Sequence, residues 1–333
     1  MPAQPLDLLC LGNAIVDVLA TVDDAFLAER EIAKGGMNLI DEARAEALYA
    51  AMGTTVIVSG GSAANTAVGA ARLGAAAGFI GKVRDDEVGG YFSADLRSTG
   101  VAFATPPAAD GPVTARSYIL VTPDGQRTMN TYLGACQNLT VADVDPALVA
   151  AAGVTYLEGY LWDPPHAKEA FRKASGLAHA AGRRVALSLS DSFCVGRYRD
   201  EFLELIRTRQ VDIVFANEAE LLALYETADF DAALEALRSD CGLAAVTRGA
   251  AGAVVAEPGG VRAVPAFPVA AVVDSTGAGD LFAAGFLAGL ARGRDALDCA
   301  RLGALAAAEI IGHVGARPEA DLAALARAER LGA

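Results

Sequence analysis

Basic side chains are scarce in this chain: 27 Lys and Arg stand against 41 Asp and Glu, a formal charge of −14 over 333 residues. That balance excludes a nucleic-acid backbone as principal partner, because such binding draws most of its affinity from clustered Lys and Arg. Any phosphate the protein holds has to be met by backbone amides, one or two placed cations or a metal. Cysteine is limited to Cys10, Cys136, Cys194, Cys241 and Cys299, an odd number with no C-x-x-C spacing. Neither a disulfide framework nor a zinc site is expected, and a reducing cytoplasm fits. Long apolar runs are also missing. None approaches the ~20 residues of a membrane span, and the apolar opening Leu8 to Ala20 lacks a basic flank and is broken by Gly12, Asn13 and Asp17, so it is not read as a signal peptide. The three histidines, His166, His179 and His313, have no triad context, and Gly60-Gly61-Ser62-Ala63-Ala64 lacks the second Gly of a nucleophile elbow, which removes a serine hydrolase. A Walker A loop is absent, since Ala76 and Val83 flank Gly81-Lys82 where Gly and Ser or Thr are needed. The dinucleotide fingerprint fails too, because Gly277-x-Gly279 is followed by Phe282.

What is present is a large core: 53% of residues are hydrophobic and 20% charged, with no repeat and no low-complexity linker. Short apolar strand-like runs alternate with amphipathic helical ones. Leu6 to Leu11, Thr55 to Ser59, Gly78 to Val83, Val154 to Leu157, Arg184 to Leu189, Val211 to Ala216 and Ala244 to Thr247 read as strands. Helices are expected over 41–52, 62–73, 165–181, 218–225, 232–238, 281–292 and 296–312. Continuous apolar strands suit a parallel sheet covered on both faces, so a doubly wound α/β sandwich is expected. The alternation breaks where two half-polar runs, Arg116 to Val121 and Arg127 to Leu133, flank the turn Pro123-Asp124-Gly125-Gln126. With Val16 to Val22 and Gly36 to Ile40 this hairpin is expected to form a small sheet standing off the main body as a lid.

Five constellations have chemical potential. In Val272-Val273-Asp274-Ser275-Thr276-Gly277-Ala278-Gly279-Asp280, an apolar strand end, a glycine turn and a helix start would gather free N–H groups where the dipole favours an anion. Asp280 there is either a helix-terminal charge or a base beside a phosphoryl site. Phosphoryl transfer asks the protein mainly to position reactants and neutralise charge, so an amide-lined hole plus a base is nearly the whole requirement. Ser59-Gly60-Gly61-Ser62-Ala63-Ala64-Asn65 opens a second helix, and Asn65 offers both donor and acceptor to a polyol. Gly12-Asn13-Ala14-Ile15-Val16-Asp17 either shapes a turn or offers a carboxylate to sugar hydroxyls. Asn217-Glu218-Ala219-Glu220 is a helix cap or, through waters, a magnesium pair. Thr247-Arg248-Gly249-Ala250-Ala251-Gly252 is a glycine loop at a strand end.

In this order the motifs resemble the ribokinase-like family, also called the phosphofructokinase-B carbohydrate kinases. Gly60-Gly61 through Asn65-Thr66 resembles the family's first signature and Asp274 through Asp280 its second, with Ser275 where Thr is commoner. Gly81 to Asp86, Ser98-Thr99-Gly100-Val101, Asn217-x-x-Glu220, Thr247-x-Gly249 and Gly315-Ala316 fall in family order. The resemblance spans nearly the whole chain. It implies one ribokinase-like domain over 1–333, a mostly parallel doubly wound sheet flanked by helices, with lid strands inserted at about 14–40 and 113–134. It further implies an ATP-dependent phosphotransferase in which Asp280 is the base and the amides of Gly277, Ala278 and Gly279 form the anion hole. Asn217 and Glu220 would hold magnesium through waters, and Thr247, Gly249, Gly252, Ala304 and Ala307 would line the ATP site. A monovalent cation such as potassium, used by many members, would sit at Asp274, Thr276 and Gly315.

For the acceptor, Gly12-Asn13 at the first strand end and the absence of a Gly-Lys-Gly run resemble the adenosine kinase branch, and Arg127 matches its lid arginine. Asn13, Asp17, Gly60, Gly61 and Asn65 would then grip a ribose, with Met37, Leu133, Tyr160 or Phe193 walling the base or simply packing the core and lid. A nucleoside kinase is therefore expected, with a sugar kinase and a non-catalytic nucleoside or nucleotide sensor as alternatives. The expected partners are small molecules, with no nucleic acid and no membrane, and the chain is a monomer or homodimer.

Overall fold

The β-branched and apolar runs condense, in a computed structural model describing residues 5–332, into fourteen strands. These are β1 (Leu6–Leu11), β2 (Ile15–Thr21), β3 (Met37–Leu39), β4 (Val56–Ser59), β5 (Ala77–Ile80), β6 (Ala102–Phe103), β7 (Ala115–Val121), β8 (Arg127–Tyr132), β9 (Ala152–Glu158), β10 (Arg184–Ser188), β11 (Ile213–Asn217), β12 (Leu243–Thr247), β13 (Ala253–Glu257) and β14 (Gly260–Val264). The two ends of the expected 1–333 unit, residues 1–4 and 333, lie outside the described residues.

Nine strands form the main sheet in the order β14-β13-β12-β11-β10-β9-β1-β5-β6. Pairing is parallel from β12 to β6, and the hairpins β12–β13 and β13–β14 at one edge are antiparallel. One face packs on helices Ser62–Arg72, Ala278–Ala291 and Ala296–Ile310, the other on Pro165–Ala180, Ser192–Arg207, Glu218–Tyr225 and Phe230–Asp240. Burial on both faces explains why the strands read as unbroken apolar runs. From β1 the order runs to β5 on one side, and from β9 to β10 on the other. The switch point therefore lies between β1 and β9, and open α/β sheets bind ligands in the crevice beyond the strand ends at such a point.

The second sheet, β3-β8-β7-β2-β4, is the expected lid. Val18, Ala20, Tyr118 and Leu120 of β2 and β7 bury against Leu27, Ala45 and Leu48 of two short helices, Asp24–Glu29 and Glu42–Ala51.

Two expectations are corrected. The run Thr55 to Ser59 does not join the main sheet: β4 pairs antiparallel with β2, Val16 opposite Ser59, so the helix Ser62–Arg72 starts directly under the lid. Val272 and Val273 are not a strand end either. They are 64% and 50% exposed, and the Val273 amide donates to the carbonyl of Ile311, so the C-terminal end of a helix satisfies this backbone in place of a strand neighbour.

Candidate active site

The loop after β1, the Gly60-Gly61 turn and the start of helix Ala278–Ala291 meet beneath the lid. Close backbone approach there demands glycine. A Cβ on Gly60 would fall 2.5 Å from the Asp17 carboxylate, and one on Gly61, whose φ is +89°, would lie 2.3 Å from the Asn13 carbonyl. Asn13 and Asp17 are thereby brought against the turn that begins the Asn65 helix.

Asp280 lies in the first turn of its helix and accepts from Ser62 Oγ at 2.6 Å and Asn65 Nδ2 at 2.9 Å. Thr66 Oγ1 donates to the Asp280 carbonyl at 3.2 Å, so two signatures some 215 residues apart are laced together. The Asn65 Oδ1 is buried without any protein donor among the described residues. An orphaned acceptor beside a carboxylate is a place for a substrate hydroxyl, because leaving it unpaired is costly. Burial raises the Asp280 carboxyl above the ordinary range, opposed by the bonds from Ser62 and Asn65 and by the charge of Arg317. Burial likewise pushes Asp17 up to about 6, with Arg127 and Arg317 pulling the other way.

Among the described residues no side chain caps the helix of Asp280. Gly277 occupies its N-cap at φ +79°, and the amide of Ala278 is turned to the Ser275 carbonyl at 3.2 Å. Among the described residues the Gly277 and Gly279 amides have no protein acceptor, so they are donors available to an anion.

Arg127, at the start of β8, reaches over this loop. Its Nη1 donates to Thr276 Oγ1 at 3.2 Å and pairs with Asp274, which also accepts from Thr276 N at 3.0 Å and Gly315 N at 2.9 Å. A monovalent cation does not fit the Asp274, Thr276 and Gly315 corner in this lid position. Arg127 already neutralises the carboxylate, and the two backbone groups aimed at it are N–H donors.

Asn217 and Glu220 form a reciprocal capping box, with Asn217 N donating to Glu220 Oε2 and Glu220 N to Asn217 Oδ1, both at 2.9 Å. Burial, and then the charge of Asp191, raise the Glu220 carboxyl to about 7. Oxygen donors already tied to each other in a capping box suit a hydrated divalent ion, so the residues fit magnesium held through waters and not by direct chelation. The ring of Tyr160 stands among these charges, its hydroxyl raised by burial and by Asp191, Asp280, Glu220 and Glu158, and its O–H donates to the Ser190 carbonyl at 3.1 Å.

Of the expected ATP residues, Thr247 ends β12 and Gly249 (φ +55°) opens a tight turn. Gly252 is spoken for by the fold, since a Cβ there would lie 2.1 Å from the Val264 carbonyl of β14. Ala304 and Ala307 lie on helix Ala296–Ile310, which packs on β13 and β14. Among the expected base-walling residues, Met37 sits on β3, Leu133 follows β8 and Phe193 is 79% exposed at a helix start.

Two charged residues at this crevice carry no sequence motif. Arg317 donates to the Ser59 and Ala64 carbonyls and to Ser59 Oγ, bracing the Gly60-Gly61 turn from behind. Glu158 ends β9 and is 1% exposed. A lone charge closing an apolar strand in a doubly wound sheet was the one available signal.

A family model of the pfkB family carbohydrate kinases matches residues 36–322. The chain belongs to this family. Its pfkB relatives include an ATP-dependent ribose-1-phosphate kinase of Halopiger xanaduensis, 34% identical over 81% of this chain and 87% of that protein. The solved structure of an adenosine kinase from Sinorhizobium meliloti superposes with a TM-score of 0.92 at 56% identity, covering 98% of this chain and 99% of that one. A probable sugar kinase from Rhizobium etli gives 0.93 at 50%, covering 99% and 100%. As a pfkB kinase the chain is a phosphotransferase acting on a hydroxyl group, in a family that uses ATP and typically magnesium.

Proposed function

We propose that the chain transfers the γ-phosphoryl group of ATP to the 5′-hydroxyl of a ribonucleoside, adenosine foremost. The observation that carries this reading is Asp280 fixed between Ser62 and Asn65, with an unpaired buried acceptor on Asn65 and two free amides at the same helix start. Asp280 removes the hydroxyl proton as that oxygen attacks the γ-phosphorus, and the bond from phosphorus to the β–γ bridging oxygen breaks to release ADP. The Gly277 and Gly279 amides meet the negative charge on the transferring oxygens. Arg127 turns from Asp274 to the same phosphoryl group, while Asn13, Asp17 and Asn65 hold the ribose hydroxyls and Tyr160 and Leu133 flank the base. Thr247, Gly249 and the Ala304–Ala307 face receive the nucleotide. Asn217 and Glu220 would hold magnesium through waters, where it supplies charge neutralisation of the phosphates. Five buried free thiols suit a reducing cytoplasm.

The 56% identity to a protein described as an adenosine kinase supports a nucleoside acceptor. The likeness to a probable sugar kinase and to a ribose-1-phosphate kinase supports a second reading, a sugar or sugar phosphate as acceptor. ADP release measured with adenosine, other nucleosides, ribose, fructose and fructose 6-phosphate decides between them. Turnover with adenosine is the expected result, and turnover with sugars alone sinks the nucleoside reading.

A further inference from the structure

Glu158 closes β9 at the switch point of the main sheet, beside β1, where Leu11 lies opposite Leu157. Its buried carboxylate accepts from three N–H groups: Asn13 Nδ2 at 2.6 Å, Asn13 N at 3.2 Å and Ala63 N at 2.7 Å. Asn13 belongs to the loop after β1, and Ala63 to the first turn of the helix that carries Asn65. One side chain thus ties together the two loops that meet at Asp280. The backbone makes room for it, since a Cβ on Gly12 would lie 2.3 Å from Glu158 Oε2.

This is an expensive way to join two loops. Among the described residues no Lys or Arg pairs with Glu158, and a buried unpaired carboxylate stabilises a fold less than an apolar residue of the same volume. What it achieves is orientation. Because the Asn13 amide nitrogen donates to Glu158, the amide oxygen must point away from it, and no protein donor among the described residues reaches that oxygen. Asn13 therefore presents its amide oxygen, an acceptor, to whatever fills the crevice.

We infer that Glu158 is a positioning residue for the phosphoacceptor: it locks the Asn13 amide so that its oxygen receives a hydrogen bond from a substrate hydroxyl. The inference rests on the crevice being the acceptor site, as proposed above. A carboxylate is required because all three protein groups facing it are donors. A glutamine in its place must turn its own N–H₂ against one of them, either releasing Ala63 or flipping Asn13.

The test is a kinetic cycle on the full chain, using whichever acceptor the wild-type enzyme phosphorylates. Glu158→Gln is expected to raise the KM for the acceptor by about tenfold or more, the equivalent of one lost hydrogen bond, with the KM for ATP within about twofold. Asn13→Asp alone sets two carboxylates together and also raises the acceptor KM. The double variant, Glu158→Gln with Asn13→Asp, restores a donor-to-acceptor pair: the introduced glutamine amide donates to the introduced carboxylate, whose second oxygen still faces the crevice. It is expected to recover most of the acceptor affinity. An unchanged acceptor KM in E158Q overturns the inference, as does an equal rise for both substrates without rescue, which is the signature of a merely structural residue. Should E158Q fail to fold, a structure of the wild-type protein with its acceptor decides: the Asn13 nitrogen, not the oxygen, facing a substrate hydroxyl overturns it. A wild-type enzyme that phosphorylates no nucleoside or sugar refutes the acceptor-site reading and this inference with it. An active wild type with an indifferent E158Q refutes this inference alone.

Discussion

A carboxylate in the first turn of a helix ordinarily serves the dipole and little else. Asp280 differs because two side chains donate to it from another helix, which aims both its oxygens into the crevice. Asp280→Asn keeps the size and most of the bonding but cannot take a proton. It is expected to lower kcat by about 10³-fold or more, while calorimetry shows acceptor binding within a few-fold of wild type. Full activity in this variant would remove Asp280 from the role of base. At this scale legibility depended on whether a residue's chemistry is local. Asp280 and its glycines are adjacent in the chain, so pattern and spacing reveal them. Glu158 owes its meaning to Asn13 and Ala63, 145 and 95 positions away, and Arg317 to carbonyls more than 250 positions away. No local spacing encodes such partners.

Among the elements, the lid hairpin was legible because Pro123-Asp124-Gly125-Gln126 supplies turn chemistry between two runs of alternating polarity, and β7 and β8 pair as that implies. The strand β4 was legible too, but not the sheet it joins. Three apolar residues and a serine leading into Gly-Gly and a helix look alike whether they lie in a parallel sheet or against β2, and only the tertiary pairing with β2 decides. Its place matters, because the lid and the Asn65 helix become one continuous piece of chain. The lid is held down by Arg127, whose side chain is 11% exposed and whose partner Asp274 is 4% exposed at the side chain. Arg127→Gln removes both the tie and a cation for the phosphoryl group. The expected result is a loss in kcat/KM for ATP on the order of 100-fold, together with faster hydrogen exchange in β7 and β8 of the ligand-free protein. Exchange rates equal to wild type in those strands would show that the Asp274 pair does not restrain the lid.

For the whole molecule, the charge of −14 was legible as a ban on polyanion partners, but the burial of several carboxyls was not. Burial pushes Glu158 and Glu220 each up to about 7 and Asp17 up to about 6, and raises Asp280 as well. Glu158 is faced by the acidic or neutral groups of Cys10, Cys136, Asp280 and Tyr160, and the cation Arg317 acts on Asp17 and Asp280. Each of these carboxyls binds its proton more tightly folded than unfolded. Its stabilising contribution is therefore complete below the unfolded value of about 4 and is lost as the pH rises through the folded value. One pKa unit corresponds to about 1.4 kcal/mol, so the ligand-free protein is expected to melt at a higher temperature at pH 5.5 than at pH 8. Function runs the opposite way. Glu158 accepts three N–H bonds only when ionised, and Asp280 accepts a substrate proton only when ionised, so kcat/KM for the acceptor rises across the same interval. Thermal melts and steady-state rates in one buffer series test both slopes together. A melting temperature that climbs in step with activity from pH 5.5 to 8 would mean that these carboxyls are not held protonated by burial, and that the crevice is better solvated than its geometry implies.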